Sequence, residues 1–198
     1  MKNLAWAAGI LAVVIIFIFL YSTKQFGGRD TFIPTPQPVG SPPGTSIMNM
    51  PFEVLKPDQI EGKKVIIKTE KGDIVIELFG DAPLAASNFI SLASRKFYDG
   101  LTFHRREEGF VIQGGDPKGD GTGDPGYKFA DEPVTRDYKR GIVAMANSGP
   151  NTNGSQFFIV LADYPLEKKY TIFGQVVSGM DIVDQIKVGD KMETVTVQ

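Results

Sequence analysis

The run Met145-Ala146-Asn147-Ser148-Gly149-Pro150-Asn151-Thr152-Asn153-Gly154-Ser155-Gln156-Phe157-Phe158 decides how this chain is read. Its middle, Ser148–Gly154, is turn chemistry throughout and sets a short, rigid loop. Apolar runs flank it, Ile142–Ala146 before and Gln156–Leu161 after, and both read as strands. An amide therefore stands at each mouth of the loop, Asn147 and Gln156. Phe157 and Phe158 are strand neighbours and must face opposite ways, so at most one of them can line a pocket.

Working outward, Val65–Thr69 and Ile74–Leu78 are β-branched runs separated by Glu70-Lys71-Gly72-Asp73, a hairpin signal. Asp81-Ala82-Pro83 offers an acidic N-cap and an early proline. Phe89, Leu92, Ala93 and Phe97 then mark one apolar helical face. Thr102–Arg105, Phe110–Gln113, Thr171–Val176 and Thr194–Val197 add strand candidates, and Met180–Ile186 a short second helix. Closely spaced strands, Gly-rich connections and two helices predict a mainly β fold, an antiparallel barrel or sandwich with helices over its open ends.

Composition narrows the chemistry. The 198 residues hold 21 Lys and Arg, 23 Asp and Glu, one His and no Cys. Thiolate catalysis, disulfides, zinc–cysteine sites and His-rich metal sites are excluded. A formal charge of −2 argues against a nucleic-acid binder, which needs a basic stripe. Residues 61–198 carry 17 basic and 20 acidic side chains, so the globular part is acidic as well.

The N-terminal part has another character. Asn3–Thr23 is a run of 21 uncharged residues, long enough as a helix to span roughly 31 Å, one hydrocarbon core. Trp6 and Tyr21 stand near its ends, where interfacial aromatics belong. No A-x-A pattern follows, so residues 1–24 are read as an uncleaved transmembrane anchor rather than a signal peptide. Residues 25–60 hold seven of the 13 prolines and read as an extended, PPII-like linker. The domain proper is expected over 61–198. With so short a tail before the span, the tail is expected in the cytoplasm and the domain on the extracytoplasmic face.

Three segments carry a resemblance. They are Phe103-His104-Arg105 with Gly109-Phe110 and Gln113-Gly114-Gly115-Asp116, the 145–158 run, and Tyr170-Thr171-Ile172-Phe173-Gly174. In this order and spacing they resemble the cyclophilin family of peptidyl-prolyl cis-trans isomerases, from about Lys64 to about Val197. The resemblance implies a closed eight-stranded antiparallel β-barrel capped by two α-helices. It implies prolyl isomerisation without metal or cofactor, acting on unfolded or extended proline-containing chains. A membrane-anchored, monomeric prokaryotic member that assists folding of exported proteins is expected. The alternative is a proline-peptide binding or chaperone module with little turnover.

By the same resemblance Arg105 is the catalytic arginine, and Phe110, Val111, Phe158 and Leu166 line the proline pocket. Gln113, Asn147 and Gln156 contact substrate backbone, to which amides can both donate and accept. Ala146 keeps the groove open. Tyr170 stands where many members have a pocket His, Val111 where Met is common, and Tyr164-Pro165-Leu166 where many have Trp before Leu. His104 is read as structural, since a strand neighbour of Arg105 faces away from it. Arg105-Arg106-Glu107-Glu108 reads as a solvated loop beyond Arg105. Gly121-Thr122-Gly123-Asp124-Pro125-Gly126 fits G-x-G-x-x-G but opens no helix, and Asp116, Asp120 and Asp124 are mis-spaced for a calcium loop. Asn153-Gly154-Ser155 is a formal glycosylation sequon within the 145–158 run.

Overall fold

The computed structural model describes residues 50–198. The expected membrane span, 1–24, and most of the expected linker lie outside the described residues. Among the described residues no helix is long and apolar enough to cross a membrane.

Eight strands form one antiparallel sheet. They are β1 (Lys64–Thr69), β2 (Gly72–Leu78), β3 (Arg105–Glu107), β4 (Val111–Gly114), β5 (Ile142–Met145), β6 (Phe157–Val160), β7 (Ile172–Ser178) and β8 (Thr194–Val197). Their order across the sheet is β3-β4-β6-β5-β7-β2-β1-β8. The sheet curls enough that segments leading into its two edge strands meet. Thr102 bridges Lys191, and the Phe103 and Met192 N–H groups donate to the Asp190 and Leu101 carbonyls at 2.9 and 2.8 Å. No ladder joins β3 to β8 themselves.

The hairpin reads as expected. Register runs from Lys64 opposite Glu77 to Thr69 opposite Gly72, so the loop is only Glu70-Lys71. The Thr69 hydroxyl donates to the Gly72 carbonyl and accepts from the Lys71 N–H, closing the turn.

The described residues hold three helices, α1 (Pro57–Ile60), α2 (Pro83–Ser94) and α3 (Met180–Gln185); α2 and α3 pack on the sheet, and α1 packs against α2. The first was expected to be linker. Instead Phe52 and Ile60 are buried, and the Leu55 N–H donates to Ser87 Oγ of α2 at 2.9 Å. Pro57 sits at the first helical position, where its fixed φ suits a helix and its missing N–H costs nothing. The prolines at 51 and 57 therefore shape a packed segment rather than a free spacer.

The start of α2 also differs from expectation. Asp81 does not cap it; its carboxylate pairs with Arg136 at 3.2 Å. The cap comes from far along the chain. Glu132 accepts from the Leu84 and Ala85 N–H groups, both at 2.8 Å, while its own N–H donates to Thr171 Oγ1. A carboxylate there satisfies two orphan donors and complements the helix dipole. Burial pushes the Glu132 pKa up, against the pull of those two bonds. Because removing the charge also relieves that burial, Glu132→Ala is expected to cost only about 1.5 kcal/mol, measurable by urea denaturation.

Strands β5 and β6 are buried on both faces. Val143, Met145, Phe157 and Ile159 point into the main core beneath α2, where Phe89 meets Tyr98, Phe157 and Phe173 at ring distances of 5.0–5.2 Å. Ile142, Ala144, Phe158 and Val160 point the other way, into a second cluster with Val111, Tyr138 and Ile172. Strand alternation thus divides adjacent phenylalanines between two cores. The second core is the floor of the site.

Candidate active site

A cavity of about 160 Å³ opens over that second core. Phe110, Val111, Phe158 and Leu166 give it apolar walls, and Ala146, Asn147, Gln113, Arg105 and Tyr170 complete its lining. These are all the expected site residues except Gln156. Gln156 lines a polar cleft of about 130 Å³ that adjoins the cavity and shares Gln113, Ala146 and Asn147 with it.

Phe158 is held at the floor from two sides. The Tyr170 ring meets it edge-on at 5.7 Å, and the Tyr138 ring lies 6.4 Å away. Tyr138 is buried, its hydroxyl donating to the Tyr170 carbonyl at 2.7 Å and accepting from the Tyr170 N–H at 3.0 Å. It therefore fixes Tyr170, which lines the cavity. Nothing in the run Asp137-Tyr138-Lys139 marks this role. At the outer edge Tyr164, nearly half exposed, packs its ring 4.5 Å from Phe110.

A chain of side-chain hydrogen bonds runs along the polar wall. Arg105 Nη1 donates to Gln113 Oε1 at 3.1 Å, and Gln113 Nε2 donates to Gln156 Oε1 at 2.8 Å. Gln156 Nε2 in turn donates to the Gly121 and Gly123 carbonyls at 3.0 and 2.8 Å. Each amide is oriented by the next partner, and the guanidinium hangs at the end over the cavity. Register explains the proximity: Arg105 faces Gln113, and Gln113 faces Phe158. Gly115 secures the crossing. It adopts φ +84°, and a side chain there would put Cβ 2.4 Å from the Ser155 carbonyl oxygen. Ser155 Oγ donates back to the Gly115 carbonyl at 2.7 Å.

The residues after Arg105 are not a solvated loop. Arg105–Glu107 is strand β3, and Glu107 forms an ion pair with Arg105. Arg106 is half-buried and donates to the Val183 and Ile186 carbonyls at 3.3 and 3.0 Å, satisfying the end of α3.

The loop motifs set aside on sequence prove to be scaffolding. Asp116 is buried and accepts from the Lys118, Asp120 and Gly121 N–H groups, which shapes the loop presenting the Gly121 carbonyl. Asn153 is fully buried and donates from Nδ2 to Asp131, so the sequon side chain is engaged. Asn147 Nδ2 donates to Asn153 Oδ1 at 3.2 Å, tying a cavity wall to the same network.

Neither ring nitrogen of His104 has a hydrogen-bond partner among the described residues. Burial lowers its pKa, with Asp116 pulling the other way. The unfolded chain therefore binds the proton first as pH falls. Stability from this group is complete above the ordinary value of about 6.5 and is lost as pH falls through the depressed folded value. Thermal unfolding between pH 7 and 5 is expected to show a drop that His104→Leu lacks.

Residues 64–198 match the family described as cyclophilin type peptidyl-prolyl cis-trans isomerase/CLD. A peptidyl-prolyl cis-trans isomerase of Helicobacter pylori is 45% identical over 150 residues, covering 73% of this chain and 92% of that one. Isomerase CYP18-1 of Arabidopsis thaliana is 50% identical over 127 residues, covering 61% and 79%. The crystal structure of a Cryptosporidium parvum cyclophilin type isomerase superposes with a TM-score of 0.65 at 36% identity, covering 69% of this chain and 97% of that one. A second crystal structure of that protein, at TM-score 0.64 and 35% identity, was obtained in the presence of the dipeptide Ala-Pro. With that match over the whole sheet and a cavity of this lining, the chain belongs to the cyclophilin-type peptidyl-prolyl cis-trans isomerases.

Proposed function

We propose that Arg105 is the catalytic group of this isomerase and that the apolar cavity receives the proline ring. The observation that carries this reading is the oriented chain Gln156–Gln113–Arg105 at the cavity rim. Rotation about an X-Pro bond faces a barrier of about 18–20 kcal/mol because the amide must lose its resonance. As the amide twists, its nitrogen becomes pyramidal and regains a lone pair. A cation aimed at that nitrogen binds the twisted state better than either planar one. No bond breaks, so no nucleophile or base is required. Phe110, Val111, Phe158, Leu166 and Tyr170 hold the ring, and Ala146 leaves room for the residue before it. Gln113, Asn147 and Gln156 hold the flanking backbone. Substrates are proline-containing unfolded or extended chains, in keeping with the Ala-Pro used with the Cryptosporidium relative.

On this reading the domain works as a monomer on the extracytoplasmic side of a prokaryotic membrane, tethered by residues 1–24, and serves exported chains. Its curled sheet acts as a barrel closed through the Thr102–Lys191 bridge. The test of site and activity together is a cis-to-trans peptide assay of the full chain beside its Arg105→Ala variant.

A further inference from the structure

The segment before α1 is tied into the domain by contacts that converge on one place. The buried Phe52 ring lies 5.8 Å from the Tyr127 ring and 6.1 Å, edge-on, from the Phe129 ring. Both aromatics belong to the stretch that continues from Gly121 and Gly123, the two carbonyls that anchor Gln156 Nε2. Phe129 also exchanges backbone hydrogen bonds with Asn153, at 3.0 and 3.3 Å. Three residues on from Phe52, Leu55 is bonded to Ser87 of α2. The next residue of α2, Asn88, is fully buried; its Nδ2 donates to the Gly154 carbonyl at 2.8 Å, and its Oδ1 accepts from the Tyr127 hydroxyl. Residues 52–55 thus press on both supports of Gly154-Ser155-Gln156.

We propose that Phe52 is a positioning residue for the isomerase site. It clamps the 121–129 loop against 153–156, which holds the Gln156 amide that orients Gln113 and, through it, Arg105. The inference rests on the reading of Arg105, Gln113 and Gln156 given above. A buried aromatic wedge suits this task, because a ring with few torsions resists displacement and transmits position through packing. The strap also joins the catalytic domain to the expected tether, so the join itself contributes to the geometry of the groove.

The test uses the full chain in detergent, with kcat and KM measured on a cis Xaa-Pro peptide. Phe52→Ala is expected to lower kcat/KM about fivefold, the range of remote coupling between packed elements, with near-UV circular dichroism unchanged. Phe52→Tyr is expected to restore it. In a Gln156→Ala background Phe52→Ala should have no further effect, because the group it positions is gone. Wild-type kcat/KM in a folded Phe52→Ala variant, or a loss that simply multiplies that of Gln156→Ala, would overturn the proposal. If Phe52→Ala does not fold, Phe52→Leu is judged by the same criteria. Unaltered turnover in Gln156→Ala alone would instead remove the underlying reading of the groove, and this inference with it.

Discussion

Arg105→Ala is expected to lower kcat/KM for a cis Xaa-Pro peptide about 10- to 150-fold while the protein stays folded. A hydrogen bond from a charged donor is worth about 1.5–3 kcal/mol, and each 1.36 kcal/mol of barrier is about tenfold in rate. The side chain is exposed on β3, so its removal opens no cavity in either core. The loss should fall mainly on kcat, because the donor is used when the amide is twisted and little when it is planar. Arg105→Lys should recover only part of it. Nη1 is held by Gln113 and Nη2 by Glu107, and a single ammonium cannot reproduce that fork. Near-wild-type rates in a well-folded Arg105→Ala protein would remove the assigned role.

The parts of this architecture that were legible are those set by local periodicity. The β8 alternation and the opposite facing of Phe157 and Phe158 follow from a period of two, which no distant residue can change; the turn signal Glu70-Lys71-Gly72-Asp73 placed the first hairpin, although Gly72 and Asp73 belong to β2 and the loop is only Glu70-Lys71. The cavity lining was legible only because the 145–158 run and its companions resemble a family; taken singly, Phe110 or Leu166 would pass for ordinary core. What escaped was set by contacts far apart in sequence. Asp81 has the residue type of an N-cap, yet the bonds come from Glu132, 48 positions beyond Leu84. Arg106 looks solvated until the end of α3, about 80 positions away, supplies carbonyls for it. Tyr138 has no local pattern, and its meaning comes from Tyr170. Glu107 is a partial exception: its i+2 spacing from Arg105 on a strand puts both on one face, a signal that could have found the pair.

Ile60→Ala is expected to destabilise the protein by about 3 kcal/mol, within the 2–5 kcal/mol typical of fully buried Ile. Read locally, Ile60 ends a proline-rich linker, where substitution would change stability by no more than about 0.5 kcal/mol. Its surroundings decide otherwise. The side chain is fully excluded from solvent within the main core, and its carbonyl accepts from the Lys63 N–H at 2.9 Å. The Glu61 carboxylate accepts from the Gly80 N–H at 2.6 Å, fixing α1 against the connection from β2 to α2. Gly80 has no alternative there, since a Cβ would lie 2.6 Å from the Pro57 carbonyl oxygen. Truncating Ile60 leaves a void that this tight join cannot collapse to fill. The control is Val188→Ala at an exposed site, expected within about 0.5 kcal/mol of wild type. Both are read as shifts of the urea midpoint at unchanged slope. Equal midpoints for the two variants would return residues 50–60 to the spacer. The expected difference instead moves the domain boundary back to about residue 50.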